Sequence, residues 1–390
     1  MDTAPAPSNP PLWTVVLAGI CAFLTLYVTQ PILPLLAVRF QASKAAVSFT
    51  VTASTLGVAL AAPFMGRLAD RYGRRRVMLL SALLVGIASL AAATSVTLSQ
   101  LVFWRFLQGV FTPGVFAVAV AYINDEWPVE STGSAMGAYV AGTVVGGFSG
   151  RAIAGVVADL APWRWCFVAV SILDLLATAA LWRWLPLEKH TRPTAAGAFV
   201  APVFDHLRNR DLLARYAVGF CVLFSLVSSF TYVTFYLAVP PFSLSPALLG
   251  SIFVVYLVGA VLTPFSGRWV DHAGARRMLV FAMVVGVGGI TLTLIPQVLV
   301  VATGLAICCT GVFIAQTAIN SSLGLVAHHD RALAVGLYAS FYYLGGSVGA
   351  SLPSLAWQIG RWPACVALIA AVQLGTVAVA WRSFREAPAR

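Results

Sequence analysis

Charged side chains are scarce in this chain: Asp, Glu, Lys and Arg make up 9% of its 390 residues. A soluble domain carries about a quarter. Hydrophobic residues account for 60%, and the mean hydropathy is +0.89, which excludes a soluble globular domain. Apolar runs of about twenty residues recur along the chain, and such runs cross membranes as helices because lipid offers the backbone no hydrogen-bond partner. The sequence predicts an all-α polytopic membrane protein.

Groups that support enzymatic or cofactor chemistry are missing from the apolar runs. No predicted span contains a His or a pair of carboxylates, and no Gly-x-x-x-x-Gly-Lys-Ser/Thr phosphate-binding loop occurs. The 6 cysteines lie in apolar runs without the spacing of metal ligands, so we expect them to be packing residues. We therefore expect no enzyme activity, no metal, no cofactor and no direct use of ATP.

The net charge of +11 could suggest nucleic-acid binding, but the positions of the basic residues indicate otherwise. Most of the 24 Lys and Arg fall in the termini and in the connections on the same side as the termini. This asymmetry follows the positive-inside rule. The sequence therefore predicts a multi-pass protein of a bacterial inner membrane, with both termini cytoplasmic and no nucleic-acid partner.

The apolar runs, separated by charges, Pro and Gly, predict twelve spans. These spans cover residues 13–38, 46–67, 77–94, 98–121, 133–158, 164–185, 213–238, 247–269, 277–295, 298–323, 332–355 and 361–382. Residues 1–12 are predicted to be a disordered tail. One long polar connection, 186–212, is predicted to be a cytoplasmic linker between a six-helix bundle at 13–185 and a second bundle at 213–390.

Two internal repeats indicate that the bundles are copies of each other. Residues 66–76, with five arginines, recur more weakly at 267–277. The matched pairs are Gly66 and Gly267, Asp70 and Asp271, Gly73 and Gly274, Arg75 and Arg276, and Arg76 and Arg277. The glycines Gly146, Gly147 and Gly150 likewise recur as Gly345, Gly346 and Gly349. Duplicated halves are common in secondary transporters, which bind substrate near mid-membrane between the halves.

Three segments resemble the major facilitator superfamily: the loop 66–75, the Arg-x-x-Gln-Gly element at 105–109, and Gly146–Gly155. The last segment is similar to the fifth span of bacterial arabinose-efflux-like permeases in the drug:proton antiporter branch. The resemblance implies two pseudo-symmetric six-helix bundles that alternate in access to the two sides of the membrane. It also implies export in exchange for protons.

The basic loop after the second span is open to two interpretations. It could be only a positive-inside anchor. The resemblance implies a cytoplasmic latch that stabilises the outward-open state, with Asp125 or Glu126 as the acidic partner of the arginines. We expect Gly66 to permit close helix approach and Gly73 to supply a positive φ. The predicted latch residues are Gly66, Asp70, Arg71, Gly73, Arg74, Arg75, Arg76, Asp125, Glu126, Asp271, Arg276 and Arg277.

Charged residues inside spans indicate function, because a charge in the membrane interior is costly. Arg105, with Gln108 one turn away, is either a structural hydrogen-bond hub or, as the resemblance implies, part of the proton-coupling machinery. Arg151 and Asp174 lie in adjacent spans and are predicted to form a buried ion pair. Alternatively, Asp174 is itself the carboxylate that takes up and releases the coupling proton.

Glycines at four-residue spacing in span five let helices approach closely. The stretch comprises Gly142, Gly146, Gly147, Gly150 and Gly155, and its counterpart in span eleven comprises Gly345, Gly346 and Gly349. Packing alone could explain them. The resemblance adds that span five lies at the interface between the halves and is associated with exchange.

Polar and aromatic residues within spans are candidates for the substrate cavity. They are Tyr27, Gln30, Tyr232, Tyr236, Gln316, Asn320, Tyr338 and Tyr342. Each could also be a packing residue or an interfacial anchor. A cavity of this kind suits amphipathic molecules, and two arginines with one aspartate favour neutral or anionic ones.

These observations predict a monomeric secondary transporter in the lipid bilayer. The leading hypothesis is an exporter of small amphipathic organic molecules or sugars, driven by the proton gradient. The alternatives are an uptake symporter or uniporter for a small metabolite on the same fold, a non-transporting membrane sensor, or a membrane enzyme.

Overall fold

The computed structural model describes residues 11–188, 200–326 and 331–384, and these residues form helices joined mostly by short connections. The helices of the first half are α1 Leu12–Leu24, α2 Leu33–Arg39, α3 Lys44–Tyr72, α4 Arg74–Ala93, α5 Leu98–Phe111, α6 Pro113–Glu126, α7 Val129–Leu160 and α8 Arg164–Trp184. Those that follow are α9 Val200–Arg208, α10 Arg210–Leu237, α11 Pro246–Ser251, α12 Val255–Ala273, α13 Ala275–Leu292, α14 Val298–Val326, α15 Arg331–Ser351 and α16 Pro353–Ser383.

Nine segments within these ranges are long and apolar enough to cross a membrane, with α5 and α6 counted as one segment from Leu98 to Glu126. The three other predicted spans correspond to α1 with α2, to α11 with α12, and to α15. The first, fourth and eighth spans are each broken into two helices, α1 with α2, α5 with α6 and α11 with α12. Helix α16 contains a kink at Gly360 and Arg361, where the backbone leaves helical geometry. The part before this kink continues span eleven, and the part after it is span twelve.

Two predicted boundaries differ from the structure by a few residues. Helix α1 already begins at Leu12, inside the predicted tail, and residues 1–10 lie outside the described ranges. The predicted linker contains the short helix α9 and the first turn of α10, which starts at Arg210. Asn209 caps α10, because its side chain accepts hydrogen bonds from the backbone N–H groups of Asp211 and Leu212. Residues 189–199 of the linker are outside the described part.

The two basic loops have the same backbone geometry. Gly73 ends α3 with φ of 94° and Gly274 ends α12 with φ of 85°. This region is costly for residues with a Cβ atom, which explains glycine at both places. Below, "the basic side" means the side of the molecule that carries these two loops, and "the opposite side" means the other end of the helices.

The halves also repeat their helix packing. A Cβ atom on Gly146 or Gly150 of α7 would overlap the α1 backbone at Ile20 or Leu24. A Cβ atom on Gly345 or Gly349 of α15 would likewise overlap the α10 backbone, at Phe220 and Phe224 respectively. Span five thus packs closely on span one as span eleven packs on span seven, because the glycines let the backbones approach.

Helix α7 lies against the second bundle at the cavity and at α11, but most of its glycines serve packing within their own bundle. Gly142, Gly146 and Gly150 face α1 of their own bundle. Gly155 is the exception, since it packs against Pro246 and Gly250 of α11 in the second bundle. Gly147 lies instead on the wall of a cavity, and Gly346 meets the side chain of Leu223.

Candidate functional site

A cavity of about 400 Å³ lies between the two bundles. Its wall is formed by α1 and the turn after it, α6 and α7 of the first half and by α10, α12, α14 and α15 of the second, and it is rich in aromatic side chains. Tyr27 and Arg151 at one end are buried, whereas Asn320 and Val335 at the other end are exposed. Because Asn320 and Val335 lie near the basic-side ends of their helices, the cavity opens toward the basic side.

Five of the eight predicted cavity residues line it, namely Tyr27, Gln316, Asn320, Tyr338 and Tyr342. The other three do not. Tyr232 donates a hydrogen bond to the carbonyl of Ala350 at 3.0 Å, and Tyr236 stacks on Trp362 with ring centroids 5.5 Å apart. Gln30 is fully buried behind the cavity wall.

The open end of the cavity carries a small polar cluster. The Tyr338 hydroxyl donates to Gln316 Oε1 at 3.0 Å, and Gln316 Nε2 donates to Asn320 Oδ1 at 3.4 Å. These side chains can donate and accept hydrogen bonds without carrying charge. This end can therefore bind an uncharged polar group.

The buried end of the cavity is formed by Arg151, which is only 3% exposed. Its Nε donates to Gln30 Oε1 at 2.7 Å and its Nη1 to the carbonyl of Gly147 at 2.5 Å. The guanidinium carbon lies 4.6 to 4.9 Å from the ring centroids of Tyr27, Phe253 and Tyr256. Three aromatic faces thus stabilise the cation.

The predicted ion pair between Arg151 and Asp174 is not formed. Asp174 is fully buried on α8, where the Cys21 thiol lies beside its carboxyl group. Neither carboxyl oxygen has a hydrogen-bond partner of ordinary geometry among the described residues. The prediction was wrong because adjacent helices can still direct their side chains to different neighbours, and Arg151 faces the second bundle.

Arg105 is fully buried within the first bundle and is not part of the cavity wall. Its guanidinium donates to the carbonyls of Thr25 at 2.7 Å, Leu26 and Thr50 at 3.2 Å. It also donates to Gln108 Oε1 at 2.5 Å and to Ser54 Oγ at 3.1 Å. Thr25 and Leu26 lie where α1 has ended, so Arg105 satisfies carbonyls that the broken span leaves exposed. Of the two roles predicted for Arg105, these contacts favour the structural hydrogen-bond hub.

The opposite side of the cavity is sealed by contacts between the bundles. The hydroxyls of Thr55 and Ser347 are 3.0 Å apart, and Gln30 Nε2 donates to Thr231 Oγ1 at 3.1 Å. The Asp159 carboxylate accepts hydrogen bonds from Ser245 Oγ and from the backbone N–H of Ala247, at the start of α11.

Lys44 adds to this seal, since its ammonium lies 5.4 Å from the ring centroid of Trp357 and 5.9 Å from that of Phe235. Sequence reasoning missed Lys44 and Asp159, because they lie at span ends and become partners only when the halves meet.

Arg74 of the basic loop contacts residues of the first bundle. Arg74 forms ion pairs with Asp125 and, at 3.6 Å, with Asp70, and it donates to the carbonyl of Ala121 at 2.6 Å. Asp125 is thus an acidic partner of the loop, and Arg74 joins α3, α4 and α6. Gly66 does not permit close approach here, since a Cβ atom on it would meet nothing within 4 Å.

The remaining latch residues differ in their surroundings. Arg71 lies 5.3 Å from the ring of Tyr72, Arg76 is exposed, and Glu126 is half-buried near Tyr122. In the second copy, Arg276 lies 5.0 Å from the ring of Trp381 and Arg277 is exposed. The side chain of Asp271 is outside the described part.

Glu188 is a loop partner that the sequence did not reveal. Its carboxylate accepts hydrogen bonds from the backbone N–H groups of Arg74 at 2.9 Å and Arg75 at 3.1 Å. Arg75 in turn donates to the carbonyls of Leu185 and Trp182, at the end of α8. An anion at a helix N-terminus is favourable, so Glu188 fixes the start of α4 to the end of α8. No local sequence motif marks Glu188, so the sequence did not indicate that it binds the start of α4.

Replacing Glu188 with glutamine is expected to lower the stability of the purified protein by roughly 1 kcal/mol, because the amide cannot supply the charge that caps α4. Thermal unfolding in detergent measures this. The exposed Asp205 is the matched control, and Asp205→Asn should leave the melting temperature unchanged. Equal melting temperatures for Glu188→Gln and the parent would contradict the capping role.

The described residues contain no group of three or more His, Cys, Asp or Glu arranged to hold a metal ion. All six cysteines are free thiols.

Comparison with known proteins supports a family assignment. The family model for the Major Facilitator Superfamily matches residues 15–350 and 234–390. The chain is 31% identical to an uncharacterized MFS-type transporter, YybF of Bacillus subtilis, over 90% of this chain and 88% of that protein. It is 30% identical to the inner membrane transport protein YnfM of Escherichia coli, over 94% of this chain and 89% of that protein.

Solved structures show the same fold. A nucleoside transporter, NupG, superposes with a TM-score of 0.78 at 12% identity, covering 96% of this chain and 100% of that one. A bacterial homologue of the human lysosomal transporter Spinster, in an inward-facing and occupied conformation, superposes with a TM-score of 0.71 at 16% identity. That match covers 97% of this chain and 98% of the other. The chain therefore belongs to the Major Facilitator Superfamily and is a multi-pass membrane transporter.

Proposed function

We propose that this transporter is a proton-coupled exporter of small amphipathic organic molecules in a bacterial inner membrane, with the basic side and both termini facing the cytoplasm. The observation that carries the proposal is the cavity between the two bundles, open at the basic side and sealed at the opposite side. A substrate could enter it from the cytoplasm, and rearrangement of the bundles would expose it on the other side.

The aromatic wall favours amphipathic molecules over sugars. Sugars need several hydrogen bonds along their length, whereas this wall is mainly aromatic and aliphatic, with Gln316 and Asn320 at one end and Arg151 at the other. Apolar pockets with a few placed polar groups bind compact, partly hydrophobic ligands.

Asp174 supports the proton-coupled part of the proposal. It is the one fully buried carboxylate among the described residues. Hydrogen bonds to a carboxylate favour its charged form, and neither oxygen of Asp174 accepts one of ordinary geometry from a described residue. Proton uptake and release there, coupled to movement of α1 past α8, would link the gradient to transport.

Flux measurements in proteoliposomes test the direction and the driving force. A compound that raises the melting temperature of the purified protein is first identified, and its uptake is then followed under an imposed pH difference. An exchanger is expected to accumulate the compound when the vesicle interior is acidic. Accumulation driven instead by external acid would assign an uptake symporter, and flux without any pH dependence would assign a uniporter.

Cross-linking tests the alternating access of the two bundles. We expect a disulfide between Thr55→Cys and Ser347→Cys to reduce flux at least tenfold, because it would lock the opposite side closed. The native hydroxyls are only 3.0 Å apart. Reduction of the disulfide should restore flux, and the single variants provide the control. Unimpaired flux with the cross-link in place would exclude opening at this seam.

A further inference from the structure

Arg151 has hydrogen-bonding capacity that the protein itself does not use. A guanidinium carries five N–H donors, and two nitrogens of Arg151 have acceptors, Gln30 Oε1 and the Gly147 carbonyl. No described residue accepts a hydrogen bond from its Nη2, although the side chain is only 3% exposed and forms part of the cavity wall. The unused donors are available to a molecule in the cavity.

Among the described residues, no acidic side chain balances the charge of Arg151. The part of the cavity wall that the structure describes contains no Asp or Glu, and the carboxylate predicted as its partner is oriented elsewhere. The rings of Tyr27, Phe253 and Tyr256 stabilise the faces of the cation, but they leave its edge unpaired. A buried charge ordinarily has a partner of opposite sign, and an anion bound in the cavity would supply it.

Comparison of the two halves indicates that helix packing does not require Arg151. Gly150 of α7 matches Gly349 of α15, so Arg151 corresponds to Ala350 in the second half. Helix α15 packs against α10 as α7 packs against α1, yet it does so without any charge at this position. The fold does not need the guanidinium, which points to a role in the cavity.

We propose that the substrate is a small organic monoanion with a flat apolar body, whose carboxylate or similar group binds Arg151. Two parallel hydrogen bonds from a guanidinium suit a planar carboxylate. The aromatic wall would hold the apolar body, and the cluster of Tyr338, Gln316 and Asn320 would bind an uncharged polar substituent at the other end. This inference rests on the proposed transport function and specifies its substrate class.

Gln30 has a positioning role in this arrangement. Its Oε1 accepts from Arg151 Nε, while its Nε2 donates to Thr231 Oγ1 in the second bundle. The amide thus orients the guanidinium toward the cavity and ties it to the seal at the opposite side. An anion that reorients Arg151 would act directly on one of the contacts that hold the bundles together.

Thermal unfolding with a matched pair of ligands tests the proposal. A hydroxynaphthoate and the corresponding neutral hydroxynaphthamide differ at the anionic group and share the ring system and the hydroxyl. We expect the carboxylate to bind at least tenfold more tightly than the amide, as measured by the concentration dependence of the melting temperature. In Arg151→Gln, this preference should disappear, with each melting temperature referred to the same variant without ligand.

Two further variants control for charge and for folding. Arg164→Gln removes a cation at the opposite side, outside the cavity, where Arg164 donates to the carbonyl of Ser95, and it should keep the preference. Arg151→Lys retains the charge without the paired donors and should keep part of the preference, so it remains informative if Arg151→Gln does not fold. Equal binding of the two ligands, tighter binding of the amide, or binding of neither would overturn the proposal.

The outcome is separable from that of the transport proposal. Transport of the neutral amide with no preference for the carboxylate would refute the anion site and leave the exporter intact. Binding of the carboxylate that depends on Arg151, without flux under any imposed pH difference, would support the anion site and refute the exporter.

Discussion

Replacing Arg105 with alanine is expected to prevent recovery of a folded, monodisperse protein from detergent. The guanidinium donates to the carbonyls of Thr25, Leu26 and Thr50, which lie on two different spans. Hydrogen bonds to a charged group contribute about 1.5–3 kcal/mol each, so the loss of these three is expected to cost at least about 4 kcal/mol. Yield, size-exclusion profile and melting temperature measure the effect.

Arg105→Lys should be nearly as damaging. A lysine ammonium is a compact point charge without the planar fork of arginine, so it cannot reach carbonyls on both spans at once. Arg164→Ala is the control, because it removes one hydrogen bond and one contact with the Trp163 ring from a half-buried arginine of the same bundle. A folded Arg105→Ala protein that transports without responding to the pH gradient would instead favour the proton-coupling role for Arg105.

The second large effect is expected at Asp174. Asp174→Asn should fold and bind ligand, yet lose at least tenfold in flux driven by a pH gradient, because an amide cannot take up or release the proton. Comparison of gradient-driven flux with counterflow, which needs no net proton movement, separates the two functions. Counterflow should persist in the variant.

The second bundle indicates why this variant should fold. Gln373 is fully buried on α16, where a Cβ atom on Gly286 would meet its amide, as a Cβ on Gly86 would meet Asp174. The repeat therefore already accommodates a neutral amide at the corresponding place. Asp205→Asn serves as the control for loss of a carboxylate at the surface. Unchanged gradient-driven flux in Asp174→Asn would contradict the proton-coupling role and indicate that the carboxyl group only fills space in the bundle.

The helical architecture was readable from the sequence because it depends on local properties. A long apolar run in lipid forms a helix, because the helix satisfies the hydrogen-bonding groups of its own backbone. The duplication was visible because matching glycines recur in both halves, and each pair faces an equivalent close helix contact, as Gly146 and Gly345 do. The breaks within spans one, four and eight were missed, because hydropathy registers composition and these segments remain apolar where the helix stops.

The site was only partly readable, because partners are set by helix rotation and by contacts between the bundles. Arg151 and Asp174 were each identified as costly charges, but their pairing was inferred from adjacency in the chain and was wrong. Glu188 had no motif that pointed to the start of α4. Lys44, Asp159 and Gln30 acquired their partners only where the two halves meet at the opposite side.

By itself, the sequence determined that this protein is a membrane protein of duplicated helical bundles, with a basic loop after the second span of each half. These features follow from hydrophobicity, charge and glycine placement along one chain. Only the tertiary structure decided that Arg105 holds a broken helix together, that Arg151 faces a cavity whose described wall has no carboxylate, and that the cavity is sealed on one side. Those features depend on which helix faces bury against each other, a free-energy balance over many distant contacts that no local pattern encodes.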